Sequence, residues 1–127
     1  MKLRLQSNSI RLRLKKGEVE RLAKAGSVKE KIVFGSNSDD IFQYVLESSG
    51  ALSSIQATLT KRGILVQVPA ATVFDWAKSE HVGIETVVPI GGGKQLQVLI
   101  EKDFACLNGP EEQNADTFPN PLAGAKC

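Results

Sequence analysis

Cysteine is nearly missing from this chain of 127 residues: there are only Cys106 and Cys127, both near the C-terminal end. Two are too few for a disulfide framework. Histidine occurs once, as His81. A zinc site needs about four ligands at recognisable spacing, and Cys106, Cys127, His81 and Asp116 are too scattered to form one. No apolar run approaches the ~20 residues that cross a bilayer. The start, Met1-Lys-Leu-Arg-Leu5, has charges where a signal peptide needs its apolar stretch, so a cytoplasmic protein without a membrane partner is expected. What remains is 42% hydrophobic and 24% charged, which excludes wholesale disorder and suits a small globular domain.

The net charge is only +2, too small to indicate nucleic acid. Its distribution is uneven. Residues 1–50 carry a balance of +4 and the remainder −2, so the basic excess belongs to the first part of the chain.

Sliding the chain by 54 lays residues 2–48 over 56–102 without a gap, with nine identities in 47 pairs. They include Leu5/Leu59, Ile10/Ile64, Ala23/Ala77, Lys24/Lys78 and Glu47/Glu101, and also Val28/Val82 and Val33/Val87. Each half reads as strand, strand, helix, strand, strand. Residues 2–6 and 9–14 alternate apolar and polar as half-buried strands do, with Ser7-Asn8 as the turn. Residues 17–25 change to helical period, placing Val19, Leu22 and Ala23 on one side, and Gly26 suits the cap. Strands over 28–34 and 41–47 follow. The second half repeats this with strands over 55–59 and 64–68, a helix over 70–79 and strands over 82–88 and 95–102. Gly91-Gly92-Gly93 is a hairpin loop, because no helix opens after it to bind phosphate. The expected organisation is one domain over 1–104, made of two repeats, with an irregular tail over 105–127.

Alternation divides the strand side chains between two faces. One is apolar and expected to be covered by the helices. The other carries Arg4, Arg11, Arg13, Lys29 and Lys31, the candidate ligand-binding cations, and the carboxylates Glu47, Glu85 and Glu101. If eight strands curl into a barrel with the helices outside, these polar residues line a channel. If the sheet is open, they form its wet side. The fold expected is therefore α+β, a duplicated β-β-α-β-β unit of eight mainly antiparallel strands in a barrel-like sheet.

That layout, across residues 2–102, resembles the triphosphate tunnel enzymes of the CYTH-like fold. The resemblance implies a polyphosphate held between basic side chains and carboxylate-bound Mg²⁺. The family's first strand reads Glu-x-Glu-x-Lys, whereas Lys2-Leu-Arg-Leu-Gln6 stands here, without those carboxylates. Separately, Met1-Lys-Leu-Arg-Leu5 and Asn8-Ser-Ile-Arg-Leu-Arg-Leu14, with Glu101-Lys-Asp-Phe-Ala-Cys-Leu107 and Asp116-Thr-Phe-Pro-Asn-Pro121, resemble a family of small uncharacterised bacterial proteins. That resemblance implies no particular activity or ligand.

Three functions fit these residues. The first is a non-enzymatic domain in which the five cations bind an anionic, phosphorylated small molecule. The second is a tunnel-type phosphohydrolase, the only one to need a cofactor, with Glu47, Glu85 and Glu101 gathering Mg²⁺. The third is an assembly subunit whose sheet edges or tail dock a partner. No catalytic residue is assigned. Cys106 as a nucleophile would need His81 as its base, and no third group orders that pair. The polar face has no aromatic side chains on which bases could stack.

Overall fold

The computed structural model describes residues 1–104 and Phe118. Its elements are β1 (Lys2–Gln6), β2 (Ser9–Leu14), α1 (Lys16–Ala25), β3 (Ser27–Val33), β4 (Ile41–Ser49), β5 (Gln56–Thr60), β6 (Gly63–Pro69), α2 (Ala70–Lys78), β7 (Gly83–Gly91) and β8 (Lys94–Lys102). The local pattern accounts for each. Helix α1 starts where the Lys15 backbone N–H donates to the Glu18 carboxylate at 3.0 Å and ends at Gly26, whose φ of +90° is a left-handed cap that only glycine adopts at no cost. Pro69 precedes α2, where its fixed φ suits entry into a helix.

The strands form two four-stranded sheets, ordered β1-β2-β8-β7 and β3-β4-β6-β5. Each sheet joins two antiparallel hairpins through a parallel pair at its centre, β2 with β8 and β4 with β6. Four of the six pairings are antiparallel, in keeping with the expected mainly antiparallel strands, but the expectation of a barrel is corrected. The sheets are mixed and do not close; β1 and β7 are the edges of the first sheet, and β3 and β5 those of the second. The reason lies in the pairing. Each hairpin finds its partner in the other half of the chain, which completes two separate sheets and leaves no strand to bridge them.

The registers correspond across the two sheets. Moving each member by 54 residues converts Ser9↔Gln97 and Arg13↔Glu101 into Gly63↔Gln43 and Gln67↔Glu47, and Lys2↔Arg13 into Gln56↔Gln67. One strand breaks the rule. Val28 pairs with Leu46, but Ile84, not Val82, pairs with Ile100. The second half has two extra residues between helix and strand, so Val28/Val82 and Val33/Val87 are not structural counterparts.

The apolar faces of both sheets meet in one core. Leu12, Leu14, Val98 and Ile100 come from the first sheet and Val28, Leu46, Val66 and Val68 from the second. Val19, Leu22, Val73 and Trp76 from the helices complete it, with α1 packed on β2, β3, β4 and α2. At roughly 1.5–3 kcal/mol for each buried side chain, these positions dominate the stability. The outer ends of the same faces are left open, where Leu59 is 86% and Phe34 75% exposed.

Beside the core, the Met1 amino group lies between Glu18 and Glu30, and the Tyr44 hydroxyl donates to the Met1 carbonyl at 2.8 Å. Burial first, then Glu30 and Glu18, hold the Tyr44 phenol above its usual range. The neutral phenol is thus favoured by folding. Its contribution is complete below the unfolded value of about 10 and is lost as pH rises beyond it. In urea titrations, Tyr44→Phe is expected to be less stable than wild type at pH 7, and the difference to shrink above pH ~10. A constant difference would contradict this coupling.

Gly63 marks where β6 crosses closest to β4: a Cβ there would meet the Gln43 carbonyl oxygen at 1.7 Å. Gly63→Ala is expected to cost about 1–3 kcal/mol in urea denaturation by forcing the parallel pair apart. Gly50→Ala, with open space around it, should cost far less.

Candidate functional site

Because side chains alternate, the outer face of the first sheet is a grid of three rows across β1, β2, β8 and β7. The first row is Lys2, Arg13, Glu101 and Gly83; the second is Arg4, Arg11, Leu99 and Glu85; the third is Gln6, Ser9, Gln97 and Val87. Two like-charged pairs therefore stand directly opposite each other on one hairpin, Lys2 with Arg13 and Arg4 with Arg11. Such pairs are destabilising unless compensated.

Most of the compensation is visible. Glu101 is buried, and its Oε1 accepts from Arg11 Nε at 2.6 Å, with Arg11 Nη2 at 2.5 Å. The same oxygen is 3.0 Å from Arg13 Nε. The angle at Arg13 is too poor for a hydrogen bond, so that N–H stays unsatisfied although it is buried. Here the contact is electrostatic only. Lys2 Nζ lies 3.1 Å from Asp103 Oδ2. Arg4 alone has no carboxylate among the described residues.

Arg4 and Arg11 border a pocket of about 190 Å³, floored by Leu99 and closed by Gln6, Ser9, Gln97 and Glu85. It adjoins a second pocket of about 480 Å³ between the two hairpin turns, lined by Ser7, Asn8, Gly93 and Gln95, with Gln6, Ser9 and Gln97 common to both. Asn8 Nδ2 donates to the Gln95 carbonyl at 2.6 Å, and the Gln97 N–H donates to the Asn8 carbonyl at 3.1 Å, so the turns hold each other in place. Together they make a polar groove with guanidinium groups at one end and amides and hydroxyls at the other.

The second sheet shows what the same grid becomes without this chemistry. The counterparts of Arg4, Arg11 and Arg13 are Thr58, Leu65 and Gln67. Glu47, the counterpart of Glu101, accepts a hydrogen bond from a neutral donor, Gln67 Nε2, at 2.9 Å. Lys29 and Lys31 are exposed on the edge strand of this sheet, beside Val45 and Gln43.

The five expected cations therefore do not form one cluster. Arg4, Arg11 and Arg13 share the first sheet, whereas Lys29 and Lys31 lie on the second. Glu47 is likewise apart from Glu85 and Glu101, and Glu101 is engaged by two arginines. Among the described residues no group of three or more His, Cys, Asp or Glu is arranged to hold a metal ion. His81 is exposed beyond the end of α2. Cys106, Cys127 and Asp116 lie outside the described residues.

At the end of β8 stand two charged residues that the sequence does not mark as buried. Lys102 and Asp103 are both buried. Lys102 Nζ donates to the Ser79 carbonyl at 2.6 Å and sits over the rings of Trp76 and Phe118, at 5.8 and 5.4 Å. Burial pulls its pKa below the ordinary lysine value, against the opposing effect of Glu80. The available signal was parity: after Val98 and Ile100, position 102 falls on the core face.

Compared with known proteins, the chain matches a family described as Family of unknown function (DUF7009) over residues 1–122. No curated protein and no solved structure matches it. The tunnel-enzyme resemblance is thus not confirmed. Among the described residues no helix is long and apolar enough to cross a membrane.

The two equivalent carboxylates give a paired test. Glu101→Gln strips the counter-charge from two half-exposed guanidinium groups and is expected to cost about 1–3 kcal/mol in urea denaturation. Glu47→Gln keeps a neutral partner for Gln67 and should cost about 1 kcal/mol or less. Equal losses would mean that Glu101 acts as a hydrogen-bond acceptor only.

Proposed function

The chain belongs to the DUF7009 family, a family of unknown function, and from the outer face of its first sheet we propose that it is a non-enzymatic binding domain for a small phosphorylated molecule. One observation carries this reading: Arg4 stands opposite Arg11 in a pocket and has no carboxylate of its own among the described residues. A tetrahedral phosphate bridging the two guanidinium groups would supply the missing negative charge through paired, charge-assisted hydrogen bonds. Gln6, Ser9 and Gln97 offer neutral donors and acceptors beside it, and the adjoining groove suits a hydroxyl-rich body such as a sugar. Glu85 on the far wall disfavours a highly charged polyphosphate. The charged grid occurs in only one of two sheets with matching registers, so in a domain built from two copies of one unit the binding chemistry belongs to the first sheet.

The test is calorimetric titration and thermal shift with inorganic phosphate, glycerol phosphate, a hexose phosphate and the free hexose. Tripolyphosphate is added with and without Mg²⁺. The phosphate esters should stabilise the protein and the hexose should not. Arg4→Ala should weaken phosphate-ester binding tenfold or more, which corresponds to about 1.4 kcal/mol, while leaving the unliganded protein as stable as before or slightly more so, since a like-charge pair is removed. Stabilisation unchanged in Arg4→Ala would exclude the pocket. Phosphate release that depends on Mg²⁺ would favour the hydrolase reading, and a concentration-dependent mass without any anion response would favour assembly.

A further inference from the structure

Away from the arginine grid, the two helices enclose a groove of about 400 Å³. Its walls are Val19 and Ala23 of α1, Phe74 and Ala77 of α2, and Phe118. This volume lies within the range of small-molecule cavities, and the lining has their usual character, mostly apolar with a few charged groups at the margin. Phe74 is 54% exposed, a large ring left in water in the middle of a short helix. Phe118, in edge contact with Phe104 at 6.0 Å between ring centres, closes part of the wall.

The rim is charged and one-sided. Lys16, Lys24 and Lys78 border the groove against a single acid, Glu20. Lys78 lies over the Phe74 ring at 3.9 Å and has no ion pair among the described residues; neither do Lys16 and Lys24. Helical spacing puts Lys16 and Lys24 about 12 Å apart along α1, so positive charge borders the groove along its length. An apolar trough with a cationic margin matches one ligand chemistry: an alkyl chain ending in an anion.

We propose that the groove between α1 and α2 binds a free, single-chain anionic amphiphile of the fatty-acid class. The alkyl chain lies against Ala23, Phe74 and Ala77, and the carboxylate is held by the rim lysines. This site is independent of the arginine pocket, and either can fail alone. Sequence alone concealed it, because Ala23 and Ala77 read as the covered face of their helices while Phe74 falls outside the core stripe.

The test is calorimetric titration of the protein with octanoate, decanoate and dodecanoate below their micellar concentrations. Decanol and anionic phosphatidylglycerol vesicles are run in parallel, with backbone NMR shifts as a second readout. Saturable binding at one site is expected, with affinity rising about fourfold per added methylene until the groove is filled. Shifts should centre on Phe74 and Ala77. Ala23→Leu, a substitution that suits a helix and fills the trough, should abolish binding. The double variant Lys24→Glu/Lys78→Glu should weaken dodecanoate tenfold or more and leave decanol unchanged. Arg4→Ala should have no effect. Several results would overturn the proposal: no saturable binding, binding indifferent to Ala23→Leu, binding to vesicles only, or self-association through the groove shown by a concentration-dependent mass that Ala23→Leu abolishes.

Discussion

The parallel pairing of β2 with β8 and of β4 with β6 is the constraint on which this fold depends. Each of these pairs joins a strand from one half of the chain to a strand from the other. The most deeply buried strand side chains, Leu12, Leu14, Leu46, Val66, Val68, Val98 and Ile100, sit on these four strands, with only Val28 contributed by an edge strand. Hydrophobic burial and interstrand pairing are therefore fixed by the same contacts. The hairpins supply local order, and the central pairs make two sheets and one core out of it.

On that frame the outer faces are free to differ. Glu101 and Glu47 occupy matching places, yet one is held by two arginines and the other by a glutamine amide. The backbone thus provides one grid twice, and side-chain choice gathers arginines on it once. In the first sheet the charges are unevenly matched: among the described residues Glu101 serves Arg11 and Arg13, Asp103 serves Lys2, and Arg4 is left over. The local excess of positive charge on this concave face is one that the net charge of +2 would not suggest.

The elements were legible in the sequence because alternation and helical period are local signals. The strands over 2–6 and 9–14, the cap at Gly26 and the helix after Pro69 were all readable within a few residues of their ends. The parallel central pairs were not, since nothing in Ser9–Leu14 announces a partner near residue 97. Without them, eight strands suggested one barrel-like sheet, and Lys29 and Lys31 were grouped with arginines that lie on the other sheet. The two extra residues before β7 were hidden by chance identities at Val82 and Val87. Arg11, Arg13 and Glu101 could be placed on one face by parity alone, but their convergence on a single oxygen depends on register.

The interleaved order of the strands also bears on how the chain is made. Strand β2 is complete at Leu14, yet its parallel partner β8 starts only at Lys94. At ordinary translation rates of about 5–20 residues per second, roughly 4–16 s separate the two. During that interval the first hairpin, marginal on its own in water, has a bare hydrogen-bonding edge that any extended segment can occupy. The first sheet, and the core that rests on it, can therefore be completed only after nearly the whole described chain has been made.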